Sequence, residues 1–191
     1  MIRSEDMEMK TLLTMTAAAL LAAAPAALAQ STAQTTPLAT DSKVDTQTFV
    51  KTVPSANQFE IESSKLAEQK SASADVKAFA KQMIQDHTKA GEDFKAALAQ
   101  GQTTASTKPA GPALQANEQG QLDELKAASG KDFDGKYITM QTEAHKDAVA
   151  LFSTYAKSGD DPAMKEFAKK TLPTLKMHEK HVKELGAAHQ G

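Results

Sequence analysis

The sequence predicts an all-α protein whose main body is a four-helix bundle. Three observations carry that prediction. Ala, Lys, Gln, Glu and Leu, all strong helix formers, dominate the chain, whereas Val and Ile are sparse. Apolar residues recur at helical spacing through four long segments. Short runs of Gly, Pro, Ser and Asp punctuate those segments where helices would start and stop.

The elements follow in order along the chain. Thr11 to Ala24 is an Ala/Leu-rich apolar run, followed by Pro25 and Ala27-Leu28-Ala29. These are the apolar region, the breaker and the small-x-small cleavage site of a secretory signal peptide over residues 1–29, cut between Ala29 and Gln30. The run is shorter than the roughly 20 apolar residues of a membrane-spanning helix. Ser4-Glu5-Asp6 and Glu8 are acidic where a signal peptide carries positive charge, and a start at Met9 would place Lys10 directly before the apolar run. The expected address is therefore export to the periplasm, with association with the envelope as an option. Residues 30–45 are rich in Ser, Thr, Gln and Ala and read as a flexible tether.

The bundle domain is expected over 46–186. Helix one is predicted from about Thr46 to Lys70; Pro54 either bends it or stands in its first turn. Ser73 is a plausible N-cap for helix two, from about Ala74 to Ala99. Gly101 to Pro112 is a loop. A short extra helix follows from about Ala113 to Ala127, ended by Gly130. Helix three is predicted from about Phe133 to Lys157. Helix four starts at Asp161-Pro162, runs to about Leu185 and contains Pro173 as an expected kink.

Composition excludes several classes. The chain has 191 residues and a net charge of −2, and removal of the leader leaves it near neutrality, so there is no basic footprint for nucleic acid and no polybasic membrane patch. About 160 residues remain after cleavage, enough for one domain with a real core. The chain contains no cysteine, which rules out disulfides, a lipidated cysteine, a thiolate nucleophile and cysteine metal ligands. No nucleophile elbow, phosphate loop, dinucleotide fingerprint or His-Glu-x-x-His motif is present.

The informative residues are polar ones on apolar faces. At about 100° per residue, His87 falls near the centre of the helix-two stripe defined by Val76, Phe79, Met83 and Phe94. His178 lies within the stripe of Met164, Phe167, Leu175 and Val182, with His181 at its flank. His145 sits toward one edge of the helix-three stripe, and Glu60 sits near the middle of helix one's broader face. A buried imidazole or carboxylate is costly unless it finds a partner. One such group per helix is also how a bundle core builds a metal site, and imidazole with carboxylate suits Zn, Cu, Fe or Ni. Glu60, His87, His145 and His178 are thus candidate metal ligands, with Asp86 as a supporting residue beside them; a hydrogen-bonded structural cluster is the competing account. The expected cofactor is at most a single transition-metal ion, with Zn, Cu, Fe and Mn the candidates. A carboxylate-bridged di-metal centre would need Glu three residues before a histidine on two helices, but Ile84 and Leu175 stand there. Met83, Met140, Met164 and Met177 are scattered along the helices and read as core filling.

Taken in order, Glu60-Ile61-Glu62, Lys65-Leu66-Ala67, Val76-Lys77-Ala78-Phe79-Ala80 and Met83-Ile84-Gln85-Asp86-His87 resemble the first helical hairpin of the domain-of-unknown-function 4142 family. Phe133-Asp134, Tyr137, His145, Ala150-Leu151-Phe152, Leu172-Pro173-Thr174-Leu175 and His178 resemble its second half. Pro54 departs from the family pattern. The resemblance implies a ferritin-like antiparallel four-helix bundle with a short extra helix between helices two and three, in an exported protein of unestablished biochemical role. It also aligns Glu60, Asp86, His87, His145 and His178 with polar positions of the family. The family's "predicted outer membrane protein" label has no counterpart in this sequence, which shows no alternating barrel-strand pattern and no lipid-attachment cysteine.

Three functions stay open at this level. The first is a non-catalytic periplasmic binding or interaction module that holds a metal ion. The second is a metal-dependent oxidase or peroxide-handling enzyme with a degenerate di-metal site; the missing carboxylates make the reading lean away from an enzyme. The third is a structural envelope protein whose tether presents the bundle to an envelope protein partner. Oligomeric state is not encoded in any pattern of the sequence.

Overall fold

A computed structural model describes residues 43–101 and 113–189. The expected leader, its cleavage site, the alternative start and nearly all of the tether lie outside the described residues. The described residues form five helices: α1 (Thr46–Lys70), α2 (Ala74–Gln100), α3 (Ala116–Ala127), α4 (Gly130–Ser158) and α5 (Pro162–His189). The long helices α1, α2, α4 and α5 are the four predicted ones. Among the described residues no helix is long and apolar enough to cross a membrane.

Local chemistry sets the ends. The Asp45 carboxylate accepts from the Thr48 amide at 2.7 Å and caps α1. Ser73 does the same for α2 through the Val76 amide, as the sequence suggested. Pro54 lies inside α1 and does not start it, because the Asp45 cap fixes the helix start two turns earlier. Pro173 likewise lies within α5. The short helix begins later than predicted, after Gln115, whose amide donates to the Glu118 carboxylate at 2.7 Å. Gly130 does not terminate it. That residue, at φ +57°, is the first of α4, a left-handed conformation that glycine adopts without steric cost.

Two apolar clusters form the core, and every long helix contributes to both. The upper one gathers Phe59, Phe79, Met83, Leu125, Phe133, Tyr137 and Val182. The lower one gathers Phe49, Phe94, Phe152, Tyr155, Met164, Phe167 and Leu175. Following each chain between them shows α1 and α5 running up while α2 and α4 run down. Neighbours around the bundle (α1 with α2, α2 with α5, α5 with α4, α4 with α1) are all antiparallel. The crossover from α2 to α4 ends in α3, which runs beside α1 and closes the upper part of the α1–α4 seam. Ser55 holds the start of α3 through Glu118 and the Gln115 amide. Lys70 holds its end by donating to the Leu125 and Lys126 carbonyls. This is the ferritin-like arrangement of two antiparallel hairpins joined by one long crossover.

Met83, Met140 and Met164 fill the core, but Met177 does not: it is 46% exposed, turned about 100° around α5 from the buried His178.

Candidate metal centre

Between the two apolar clusters lies a polar layer. Three long helices each supply to it a residue that falls between their upper and lower core contacts: His87 from α2, His145 from α4 and His178 from α5; α1 adds Glu60, which follows Phe59 of the upper cluster. All four are buried, the histidines to 6% exposure or less. The three rings pack against one another, with centroids 5.7 Å apart for His87–His145, 5.6 Å for His87–His178 and 5.4 Å for His145–His178. One ring nitrogen from each lies within 4.8 Å of those of the other two.

The hydrogen bonds fix which nitrogen is available. His87 Nδ1 pairs with Asn57 Oδ1 at 3.1 Å. His145 Nδ1 donates to the Gln141 carbonyl at 2.9 Å. His178 Nε2 donates to the Asp86 carboxylate at 2.8 Å. In each case the acceptor is an oxygen, so that nitrogen carries the proton and the other carries a lone pair. Those others, His87 Nε2, His145 Nε2 and His178 Nδ1, are buried and have no hydrogen-bond partner among the described residues. The layer therefore gathers three lone pairs and supplies no donor to them. Metal-binding histidines are oriented in this way, with an oxygen acceptor behind each ring.

Burial also sets the charge. Desolvation holds His145 at about 4. It pushes His87 well below the ordinary imidazole value, helped by the two neighbouring rings. It lowers His178 despite the opposing pull of Asp86. Desolvation raises the Glu60 carboxyl to about 8, the Gln141 amide working against this and the charge of Glu118 adding to it. Glu60 Oε1 is 3.7 Å from His145 Nδ1, but at neutral pH neither group is charged, so this contact is not an ion pair. At neutral pH the layer thus carries no charge.

Of the sequence candidates, the structure brings His87, His145 and His178 together. Glu60 stands beside the trio, behind His145, and its Oε2 is buried without a partner among the described residues. Asp86 is the acceptor behind His178. Three contributors were not picked out from the sequence: Asn57, Gln141 and Ser63, whose hydroxyl accepts from the Gln141 side-chain amide at 3.0 Å. The available signal was helical spacing. Asn57 and Ser63 stand three residues either side of Glu60, and Gln141 stands four before His145, so each shares a face with a residue already chosen. The carboxylate positions of a bridged di-metal centre are apolar here as expected, with Leu175 part of the lower core.

Fold and site together define a ferritin-like helical bundle with a histidine layer across its core. The chain belongs to the DUF4142 family, a domain of unknown function, whose profile matches residues 27–185. No curated protein matches the sequence. Among solved structures the chain is similar to CopM in its Cu(II)-bound form, with a TM-score of 0.61 at 20% identity over 76% of this chain and 98% of that one. For CopM in its Cu(I)-bound form the TM-score is 0.63 at 21% identity, over 78% and 99%. A DUF305 protein from Streptomyces coelicolor that is predicted to be secreted gives 0.60 at 14% identity, over 76% and 93%. At these identities the likeness is one of fold.

Proposed function

We propose that this protein is an exported, non-catalytic metal-binding module that holds one copper-class ion on His87 Nε2, His145 Nε2 and His178 Nδ1. The observation that carries this reading is the set of three buried imidazole lone pairs, each ring oriented by an oxygen acceptor on its far side. Three lone pairs facing one another in an apolar core repel, and a bound cation converts that repulsion into ligation. Metal–imidazole bonds are about 2.0–2.1 Å long, which places ligating nitrogens roughly 3.3–3.5 Å apart. One nitrogen of each ring already lies within 4.8 Å of those of the other two, and binding an ion would draw the three rings closer together. Neutral imidazoles suit copper and zinc, and three ligands without a formal charge favour a monovalent ion in a dry site. CopM, which shares the fold, has been solved with Cu(I), Cu(II) and Ag, consistent with this choice. Asp86, Asn57 and the Gln141 carbonyl orient the ligands, and Glu60 supplies a nearby carboxyl that can ionise when the incoming ion is divalent.

The test is elemental analysis of the protein purified from the periplasm without a polyhistidine tag, beside the single variants H87A, H145A and H178A. The proposal expects about one ion per chain in the wild type and less than a tenth of that in each variant, with the helical spectrum retained. A wild type that carries no metal and takes up none from Cu(I), Cu(II) or Zn(II) overturns it and leaves the layer as a structural network.

A further inference from the structure

Below the histidine layer the helices leave a space that is partly open to solvent. A cavity of about 800 Å³ opens there, within the range of small-molecule sites. Its walls are side chains of the lower core, among them Phe94, Phe152, Phe167 and Leu175. All five helices contribute to the walls, and exposed Glu92, Lys95, Glu143 and Asp147 stand at its opening. Its inner end meets the polar layer at Glu60, which is 4% exposed and whose Oε2 has no hydrogen-bond partner among the described residues. A buried polar atom without a partner is costly, and a ligand group that bonds it recovers that cost.

We infer that this cavity binds an uncharged amphiphile, its apolar body against the phenylalanine walls and a hydroxyl or amide head on the Glu60 carboxyl. The charge distribution selects the class. Among the described residues the outer lining carries Glu92, Glu143 and Asp147 with Lys95 as the one cation, so an anionic head meets a net acidic rim. Among the described residues no cationic side chain lines the inner end to receive an anion. The unpartnered Glu60 Oε2 accepts a hydrogen bond, which the donor of a neutral hydroxyl or amide supplies. The inference does not require an ion on the histidines, because Glu60 remains available when His87 is a ligand.

The experiment uses N-phenyl-1-naphthylamine, an uncharged fluorophore that brightens in apolar surroundings, added to the purified full-length protein. Binding is expected to saturate at one per chain. 1-Octanol should displace the probe, and octanoate at the same concentration should displace it at least tenfold less effectively. Ala56→Phe and Ala148→Phe each place a ring in the cavity wall and should weaken probe binding tenfold or more, with circular dichroism confirming that the helices are retained. Fluorescence that never saturates, octanoate competing as well as octanol, or two folded variants that bind like the wild type would each overturn the inference. All arms are run with metal-free and metal-loaded protein, so a failure of the metal reading and a failure of this one give different results.

Discussion

His178 shows how a single residue divides its work. Nε2 donates to Asp86, while Nδ1 is buried with no hydrogen-bond partner among the described residues. Asp86→Ala removes the acceptor that holds the ring and its tautomer, so copper affinity should drop about 10–100-fold, as for other residues that orient metal ligands. A competition titration against a chelator of known affinity reads that change, and unaltered affinity would show that Asp86 does not position the ring. The layer also predicts how the metal-free protein responds to pH. Below the ordinary imidazole value near 6.5, the unfolded chain takes up protons that the buried rings refuse, His145 down to about 4. Their contribution is complete above about 6.5 and is lost as pH falls toward 4. Glu60 acts in the opposite sense. The folded chain keeps its proton up to about 8, whereas the unfolded chain releases it near 4.5, so this contribution is complete below 4.5 and is lost as pH rises toward 8. The urea midpoint of the metal-free protein should therefore peak near neutrality and fall on both sides. Glu60→Gln should flatten the alkaline limb between about 6.5 and 8 and leave the acid limb in place; an alkaline limb unchanged in that variant would remove Glu60 from the account.

At the scale of elements, the helices are set by their ends and by their glycines. Asp45→Ala removes the cap of α1 and should cost about 1 kcal/mol in urea denaturation. The glycines separate by sign. Gly120 in α3 and Gly135 in α4 have nothing within 4 Å of where a Cβ would stand, so alanine at either should stabilise by about 0.5–1 kcal/mol through helix propensity. At Gly159, which follows α4, a Cβ would lie 2.6 Å from the Tyr155 carbonyl oxygen and 2.7 Å from its ring. Gly159→Ala should cost about 1–3 kcal/mol, the usual range for overpacking. Tyr155 stacks on Phe49 at 4.0 Å and its hydroxyl bonds Thr46, so a shift there also disturbs the lower core. Thermal melts of the three variants check the pattern, and a Gly159→Ala protein as stable as the wild type would contradict the packing argument.

Over the whole molecule the histidine layer divides the core into two apolar halves that share all four long helices. Removing a ring from either half should cost about 3–5 kcal/mol, as for buried aromatics generally. Phe49→Ala and Phe79→Ala, one from each half, should both melt in a single transition, because every long helix runs through both clusters. Two resolved transitions in either variant would mean that the halves fold independently. A bound ion ties α2, α4 and α5 together at the layer, and binding to the folded state alone stabilises it by mass action. Free copper at one hundred times its Kd should add about 2.7 kcal/mol, and His145→Ala should abolish the gain. Differential scanning calorimetry with and without metal measures both.

The sequence by itself determined the helices and most of what lines them. Helical periodicity is a local property, set by residues three and four apart, so the four long helices and the inward side of Glu60, His87, His145 and His178 were legible from spacing alone. The absence of carboxylates at Ile84 and Leu175 was legible for the same reason. Where α3 begins and which helix Gly130 belongs to were not, because a bond between Ser55 and Glu118 sets the first and a left-handed backbone at a helix start sets the second. Only the tertiary structure decided that the three histidines converge while Glu60 stands behind His145, and that Asp86 reaches across from α2 to a ring on α5. The relative rotation and height of four packed helices depend on contacts between residues far apart in the chain. The periodicity of each helix is blind to them, although they decide whether four buried polar groups form one site or four separate hydrogen bonds.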